Sequence, residues 1–432
     1  MLIASLVRPC RLAIGALFLT SFAASAMAGP DATVLDHAQR QQPVLLDTLK
    51  NLVSIESGSG DRAGLDKISA YIAERLSSLG GKVEFLEPAA DTYRMHDTPE
   101  KIGRMVKASF EGSGSKSILL IAHMDTVYLK GMLAKQPFRI DGNRAYGLGI
   151  ADDKAGIAVI LHTLEILKAM NFRNYGRVTV LINGDEEISS PASRSIFAKL
   201  GAEHDLTMSH EGSSITDDQL SLATAGIAAV TLKVTGRASH AGAAPERGRN
   251  AIYELAHQLM QTRDFSEPAK GIKMNWTMIN GGTNRNVIPA EASAAADVRV
   301  ERIADYDGLE KKVRETIKNQ LIPDTKVDLT FERRRPPMQS SAAGLSVAKY
   351  ASNIYGEIGK SIKVTSTVAG GGTDAAFASS MTQNAVIERF GLQGFGAHSN
   401  DSEYVLIDSI APRLYMTTRL IMDFSNGLVK LD

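Results

Sequence analysis

Thiol chemistry is nearly missing from this chain. Its 432 residues include one cysteine, Cys10, which excludes an intrachain disulfide and a zinc site built on several thiolates. Net charge is missing too. The 48 Lys and Arg balance 48 Asp and Glu, so no bulk field draws the chain toward nucleic acid or an anionic membrane. A basic stripe interleaved with aromatics is absent, and with it the usual nucleic-acid footprint. No Gly-x-Ser-x-Gly elbow occurs, which excludes a serine hydrolase of that design. Internal repeats and low-complexity stretches are not found. In so balanced a chain, clusters of acid or histidine need local reasons.

The apolar run Leu12–Ala24 is too short to span a bilayer comfortably. Arg8 and Arg11 precede it, and Ala26-Met27-Ala28 follows as a small-x-small cleavage site. Residues 1–28 are therefore expected to be a secretory signal cut after Ala28, taking Cys10 with it. The mature chain is expected to be periplasmic or secreted, with no stable membrane anchor; a retained anchor is the alternative.

The rest reads as an α/β protein. Apolar periodicity predicts helices over Val34–Ile55, Leu65–Leu79, Lys154–Met170 and Ala192–Leu200, with strands at Lys82–Leu86, Ser117–His123 and Val178–Asn183. The continuous run Ile118-Leu-Leu-Ile121 suits a strand buried on both faces. This rhythm predicts an open mixed sheet with helices on both faces. After Gly226 the pattern changes. Val230–Thr235 alternates strictly, and the order β-α-β-β-α-β that follows predicts an inserted ferredoxin-like α+β unit. The α/β pattern then resumes, with a helix at Gly344–Tyr355, strands near Ile362–Ser366 and Ala385–Arg389, and a last helix at Asp408–Asp423. The expected division is a catalytic domain over 29–225 and 336–432, interrupted by an inserted domain over 226–335.

Open sheets bind ligands beyond the carboxyl ends of their strands. His123-Met-Asp125 and Asp185-Glu186-Glu187 directly follow two of the strands expected here, and His210-Glu211 follows another. Asp152 and Asp153 stand at a loop-to-helix junction after Gly147 and Gly149, and His398 lies on a Gly-rich loop. Helix capping alone would explain Asp152, and a solvated loop would explain the acid triplet. Together they suggest more. Packed acids repel one another unless cations neutralise them. Neutral His with carboxylates and no Cys suits zinc, with manganese or cobalt as substitutes. A pair of such ions can share a carboxylate and a water.

Ala122-His123-Met124-Asp125, Gly149-Ile-Ala-Asp152-Asp153-Lys154, Asp185-Glu186-Glu187, His210-Glu211, Ser239-His240-Ala241-Gly242, Asn286-Val-Ile-Pro289, Gly370-Gly371-Gly372-Thr373-Asp374 and His398 form one set. As a set they resemble the di-zinc aminoacylase/carboxypeptidase family over nearly all of the mature chain. The nearest likeness is to the bacterial glutamate carboxypeptidases that cut folates. The resemblance implies two Zn2+ per subunit. Asp152 would bridge them, His123 and Glu211 would complete one shell, and Glu187 and His398 the other. Glu186 would be general base and then acid, and Asp125 would orient His123. The Asp152–Asp153 peptide would be cis. A water shared by the metals would lose a proton to Glu186 and attack the scissile amide. The resemblance also implies a homodimer formed through the inserted domain, with His240 reaching the partner's active site. Asn286, Arg299, Arg335 and Gly370–Gly372 are the candidates for holding a substrate carboxylate. One departure stands out: where the folate-cutting enzymes carry a substrate-contacting lysine, this chain has Gln219. The expected substrate is a small peptide or N-acyl-amino acid ending most naturally in glutamate. A dipeptidase or N-acyl-amino-acid deacylase is the alternative within hydrolases. A catalytically silent binding protein is the alternative outside them, and it would have no need of Glu186.

Overall fold

The computed structural model describes residues 29–90, 92–399 and 402–431. The expected signal segment and Cys10 lie outside them. Among the described residues no helix is long and apolar enough to cross a membrane.

The main sheet has six strands, in the spatial order Lys82–Leu86, Met105–Glu111, Arg177–Asn183, Ser117–His123, Leu206–Ser209 and Ala385–Ile387. The last four run parallel, while Met105–Glu111 is antiparallel to both of its neighbours. The sheet is mixed for that reason. Sequence reading missed Met105–Glu111, although Val106, Ala108 and Phe110 alternate with Lys107, Ser109 and Glu111 as a half-buried strand does.

Side chains of the central strand alternate between two cores, as the pleat requires. Ile118 and Leu120 pack with Leu45, Ile68, Ile157 and Leu414 from helices on one face. Leu119 and Ile121 pack with Phe197, Leu200 and Phe377 on the other. A strand buried on both faces must be apolar at every position, which is why Ile118–Ile121 has no polar interruption. Polar residues resume where the strand leaves the core, so His123, Asp185, His210 and Glu388 all lie at or just beyond the carboxyl ends of the parallel strands.

A separate antiparallel sheet has the order Lys273–Gly281, Glu291–Val300, Gly226–Thr235 and Lys326–Arg335. In chain order this is 2-3-1-4, the ferredoxin-like arrangement. Val230 faces Ala296 and Leu232 faces Ala294 across the ladder. These residues, with Leu255, Leu309 and Val313 from helices Ala251–Thr262 and Ala304–Thr316, form a core of their own.

Two features were not legible beforehand. The strand expected near Ile362–Ser366 forms as Lys363–Thr365 but stays out of the main sheet, pairing parallel with Gln219–Ser221 instead. A five-stranded sheet of very short strands joins Arg139–Asp141, Arg144–Tyr146, Tyr404–Leu406, Gln393–Phe395 and Ser213–Ser214. The loop carrying His398 connects two of its strands. Strands of two or three residues leave no periodicity to read.

Leu232 is fully buried in the small sheet's core. Leu232→Ala is expected to lower stability by about 2–5 kcal/mol, as truncation of a buried leucine typically does, measured by denaturant unfolding.

Candidate metal centre

The segment Gly147–Lys154 crosses the carboxyl edge of the main sheet. Gly149 adopts φ +68°, which only glycine takes without strain, and a Cβ there would meet Thr126 Cγ2 at 2.4 Å. The Asp152–Asp153 peptide is cis. Glu403 holds this backbone from the far end of the chain. Its carboxylate accepts from the N–H groups of Gly149 (2.9 Å), Ala151 (2.8 Å) and Asp152 (3.1 Å), and Tyr128 donates to it at 2.5 Å. Burial pushes the Glu403 carboxyl up to about 7.

Held this way, Asp152 presents one oxygen to each of two histidines. Oδ1 lies 2.9 Å from His123 Nε2, and Oδ2 lies 3.2 Å from His398 Nε2. Glu211 Oε1 is 3.6 Å from His123 Nε2, and Glu187 Oε2 is 3.2 Å from His398 Nε2. Ligands bonded at about 2.0–2.1 Å around a tetrahedral ion sit about 3.3 Å apart, so these spacings match two coordination shells. The groups able to hold an ion are His123, Asp153 and Glu211 in one cluster and Asp152, Glu187 and His398 in the other.

His123 is oriented from behind. Its Nδ1 lies 3.0 Å from the Asp125 carbonyl, which can only accept, so a neutral ring carries its proton on Nδ1 and keeps the Nε2 lone pair for a metal. The Asp125 carboxylate accepts from Ser59 Oγ (2.7 Å) and from the backbone N–H groups of Glu186 (3.0 Å) and Glu187 (3.1 Å). One aspartate thus joins the end of strand Ser117–His123 to the acid triplet that follows the neighbouring strand. Asp185, the first of that triplet, points elsewhere. It accepts from Asn183, Ser193 and the Ala192 N–H, so its role is to fix the turn.

Burial raises the carboxyls of Glu186, Glu187 and Glu211 above the ordinary range. Desolvation acts on the half-buried Asp152 as well, yet the two imidazoles hold it below that range. So many buried acids around two histidines form an electrostatic debt that divalent cations offset.

The remaining expected residues are placed as follows. Glu186 Oε1 is 2.7 Å from Arg335, which also pairs with Asp374 at 3.0 Å. Arg335 is 4% exposed, its guanidinium held between Glu186 and Asp374. A Cβ on Gly372 would meet Arg335 Cδ at 2.5 Å. Arg299 is half committed. Asp297 takes Nε (2.9 Å) and one terminal nitrogen (3.0 Å), and the other nitrogen donates to the Gly370 carbonyl at 2.9 Å. Gly370 and Gly371 have open space around them. His240 and Asn286 are exposed on the small-sheet side and make no contact with the metal clusters within this chain. His240 Nδ1 accepts from the Gly242 and Ala243 N–H groups, both at 3.1 Å. A neutral ring therefore carries its proton on the outward Nε2.

Sequence reasoning did not single out Asp153 as a group able to hold an ion, although it lies in a quoted motif. It also missed Glu403, which follows His398 in a short polar stretch with no pattern to mark it.

A mixed α/β sheet with paired His/carboxylate clusters at its carboxyl edge defines a metal-dependent hydrolase. Residues 119–423 match the peptidase family M20/M25/M40, and the chain belongs to that family. It is 42% identical to carboxypeptidase G2 of Pseudomonas sp. (strain RS-16), over 96% of this chain and 98% of that one. It is 28% identical to the acetylornithine deacetylase of Proteus mirabilis (strain HI4320), over 60% of this chain and 67% of that one. Among solved structures, a tripeptidase from Staphylococcus aureus superposes with TM-score 0.73 at 19% identity, covering 89% of this chain and 99% of that one. An M20 family metallo-carboxypeptidase from Sulfolobus solfataricus does so with TM-score 0.71 at 18% identity, covering 88% and 99%. This chain is a metallo-carboxypeptidase or amidohydrolase of the same family.

Burial lowers the imidazole of His210, beside Glu211, to about 3. Its folded value lies below the unfolded value of about 6.5, so the unfolded chain binds the extra proton between those pH values. Stability is therefore lost as pH falls through that window. His210→Gln is expected to flatten the slope of unfolding free energy between about pH 6.5 and 4 by up to one proton, read from denaturant melts across pH.

Proposed function

We propose that this protein is a zinc-dependent exopeptidase that hydrolyses the amide bond to a C-terminal amino acid, with glutamate as the natural leaving group. The observation that carries this is the sharing of Asp152 between the imidazoles of His123 and His398, with Glu186 alongside. Two zinc ions per subunit fit the donor set, one toward His123 and Glu211, the other toward Glu187 and His398, with Asp152 between them. Manganese or cobalt would suit the same ligands. Bound there, the cations would acidify water and offset charge developing on the carbonyl oxygen.

Glu186 does the proton work. It takes a proton as the water oxygen attacks the scissile carbonyl carbon. It then gives that proton to the amide nitrogen as the C–N bond breaks. Arg335, 2.7 Å from its Oε1, keeps it oriented. Arg299, Asn286 and the Gly370–Gly372 loop are proposed to receive the substrate's terminal carboxylate. Identity of 42% to a carboxypeptidase G2 supports this reading over dipeptidase or deacylase activity.

We further propose that residues 226–335 act as an inserted unit that pairs two subunits, with 29–225 and 336–432 forming the catalytic unit. The edge strand Lys273–Gly281 exposes Met278 and Ile279, and the adjoining helix exposes Tyr253 and Met260. An apolar open edge of this kind favours strand-to-strand pairing. His240, with Nε2–H outward, is then available to the partner's substrate carbonyl. Export to the periplasm or medium completes the proposal.

Two measurements test it. Glu186→Gln is expected to keep its metal content by elemental analysis but lose at least about 100-fold in kcat on an N-acyl-glutamate. Near-normal turnover would remove Glu186 from this role. Ile279→Asp is expected to convert the dimer to monomer by light scattering; an unchanged mass would place the interface elsewhere.

A further inference from the structure

The site has a second wall. A cavity of about 350 Å3 opens beside the metal clusters, lined by Asp152, Glu211, Ser213, Ser214, Arg389 and Phe395 among others. Arg389 is its one basic residue. It is half-buried and makes no ion pair or hydrogen bond within the described residues.

The backbone explains how a cation comes to line this cavity. Ser221 pairs with Glu388 in an antiparallel bridge, which sets Arg389 opposite Leu220. Leu220 is fully buried, and strict alternation would send Arg389 into the same core. Arg389 instead has φ +76°. A non-glycine residue in the left-handed region costs about 1–3 kcal/mol and persists where surrounding structure enforces it. That departure breaks the alternation and leaves the residue on the cavity wall.

We propose that Arg389 holds the side-chain carboxylate of an acidic leaving amino acid. This rests on the exopeptidase reading and names its substrate class. A guanidinium binds a carboxylate through two parallel N–H donors. The Ser214 hydroxyl stands on the same wall, and the half-exposed Phe395 ring can cover the methylene stem of the ligand. With glutamine at 219, the cation that selects an acidic side chain comes from residue 389.

The test compares N-acyl-L-glutamate with N-acyl-L-glutamine, which match in shape and differ in charge, using the zinc-loaded enzyme and its variants. In wild type, kcat/KM is expected to favour glutamate. Arg389→Met is expected to raise KM for the glutamate substrate about 10- to 100-fold, the loss typical of a removed charge-assisted pair. It should leave the glutamine substrate, metal content and melting temperature unchanged. Arg389→Lys should recover part of the loss. Equal losses on both substrates, or no loss on glutamate, would overturn the assignment, the former pointing to charge balance for Asp152 and Glu211. Calorimetric binding of free L-glutamate and L-glutamine to wild type and Arg389→Met separates the two readings. If wild type cleaves neither substrate but binds L-glutamate through Arg389, the exopeptidase reading fails and this one stands. If wild type cleaves both and Arg389→Met binds L-glutamate as wild type does, the reverse holds.

Discussion

His123 and His398 come from distant parts of the chain and meet on the two oxygens of Asp152. Everything else at the site serves that meeting. A carboxylate between two imidazoles, ringed by Glu187, Glu211 and Asp153, concentrates ionisable groups in a small space. Without cations the acids cannot all ionise, and burial drives most of their carboxyls upward. The centre is therefore built at a cost in apo stability that bound metal returns.

Precision at the centre comes from a layer behind it. Asp125 accepts from two N–H groups of the acid triplet and holds the His123 tautomer through its carbonyl. Glu403 collects three N–H groups of the Asp152 segment. Arg335 and Asp374 back Glu186. In the first two cases a carboxylate accepts from backbone donors that a buried turn would otherwise leave unpaired, and in the third a guanidinium donates to Glu186, so each fixes the direction of a group at the centre.

The small sheet is tied to this layer. Arg334 pairs with Asp97, Arg335 with Glu186, and Arg299 reaches the Gly370 carbonyl. The strand Lys326–Arg335 therefore ends against Glu186. Movement of the small sheet relative to the main one would shift Arg335, and with it Glu186.

Local rules carried much of this into the sequence. Both cores follow from parity along strands: Ile118–Ile121 had to be apolar throughout, and Val230, Leu232 and Val234 had to alternate. Chemistry at strand ends was legible because polar residues cluster where a buried strand emerges, which marked His123, Glu186, Glu187 and Glu211. The resemblance of the motifs then assigned them roles. What the chain's order could not show was which groups already have partners. Arg335 looks like any arginine in a basic triplet, and only folding brings Glu186 and Asp374 to it. Arg389 looks like a strand residue, and only its left-handed backbone leaves it beside Asp152 and Glu211. Glu403 has no pattern at all. Periodicity is a property of neighbours along the chain, whereas ion pairing and burial depend on which distant segments share a space, and that is settled by tertiary packing alone.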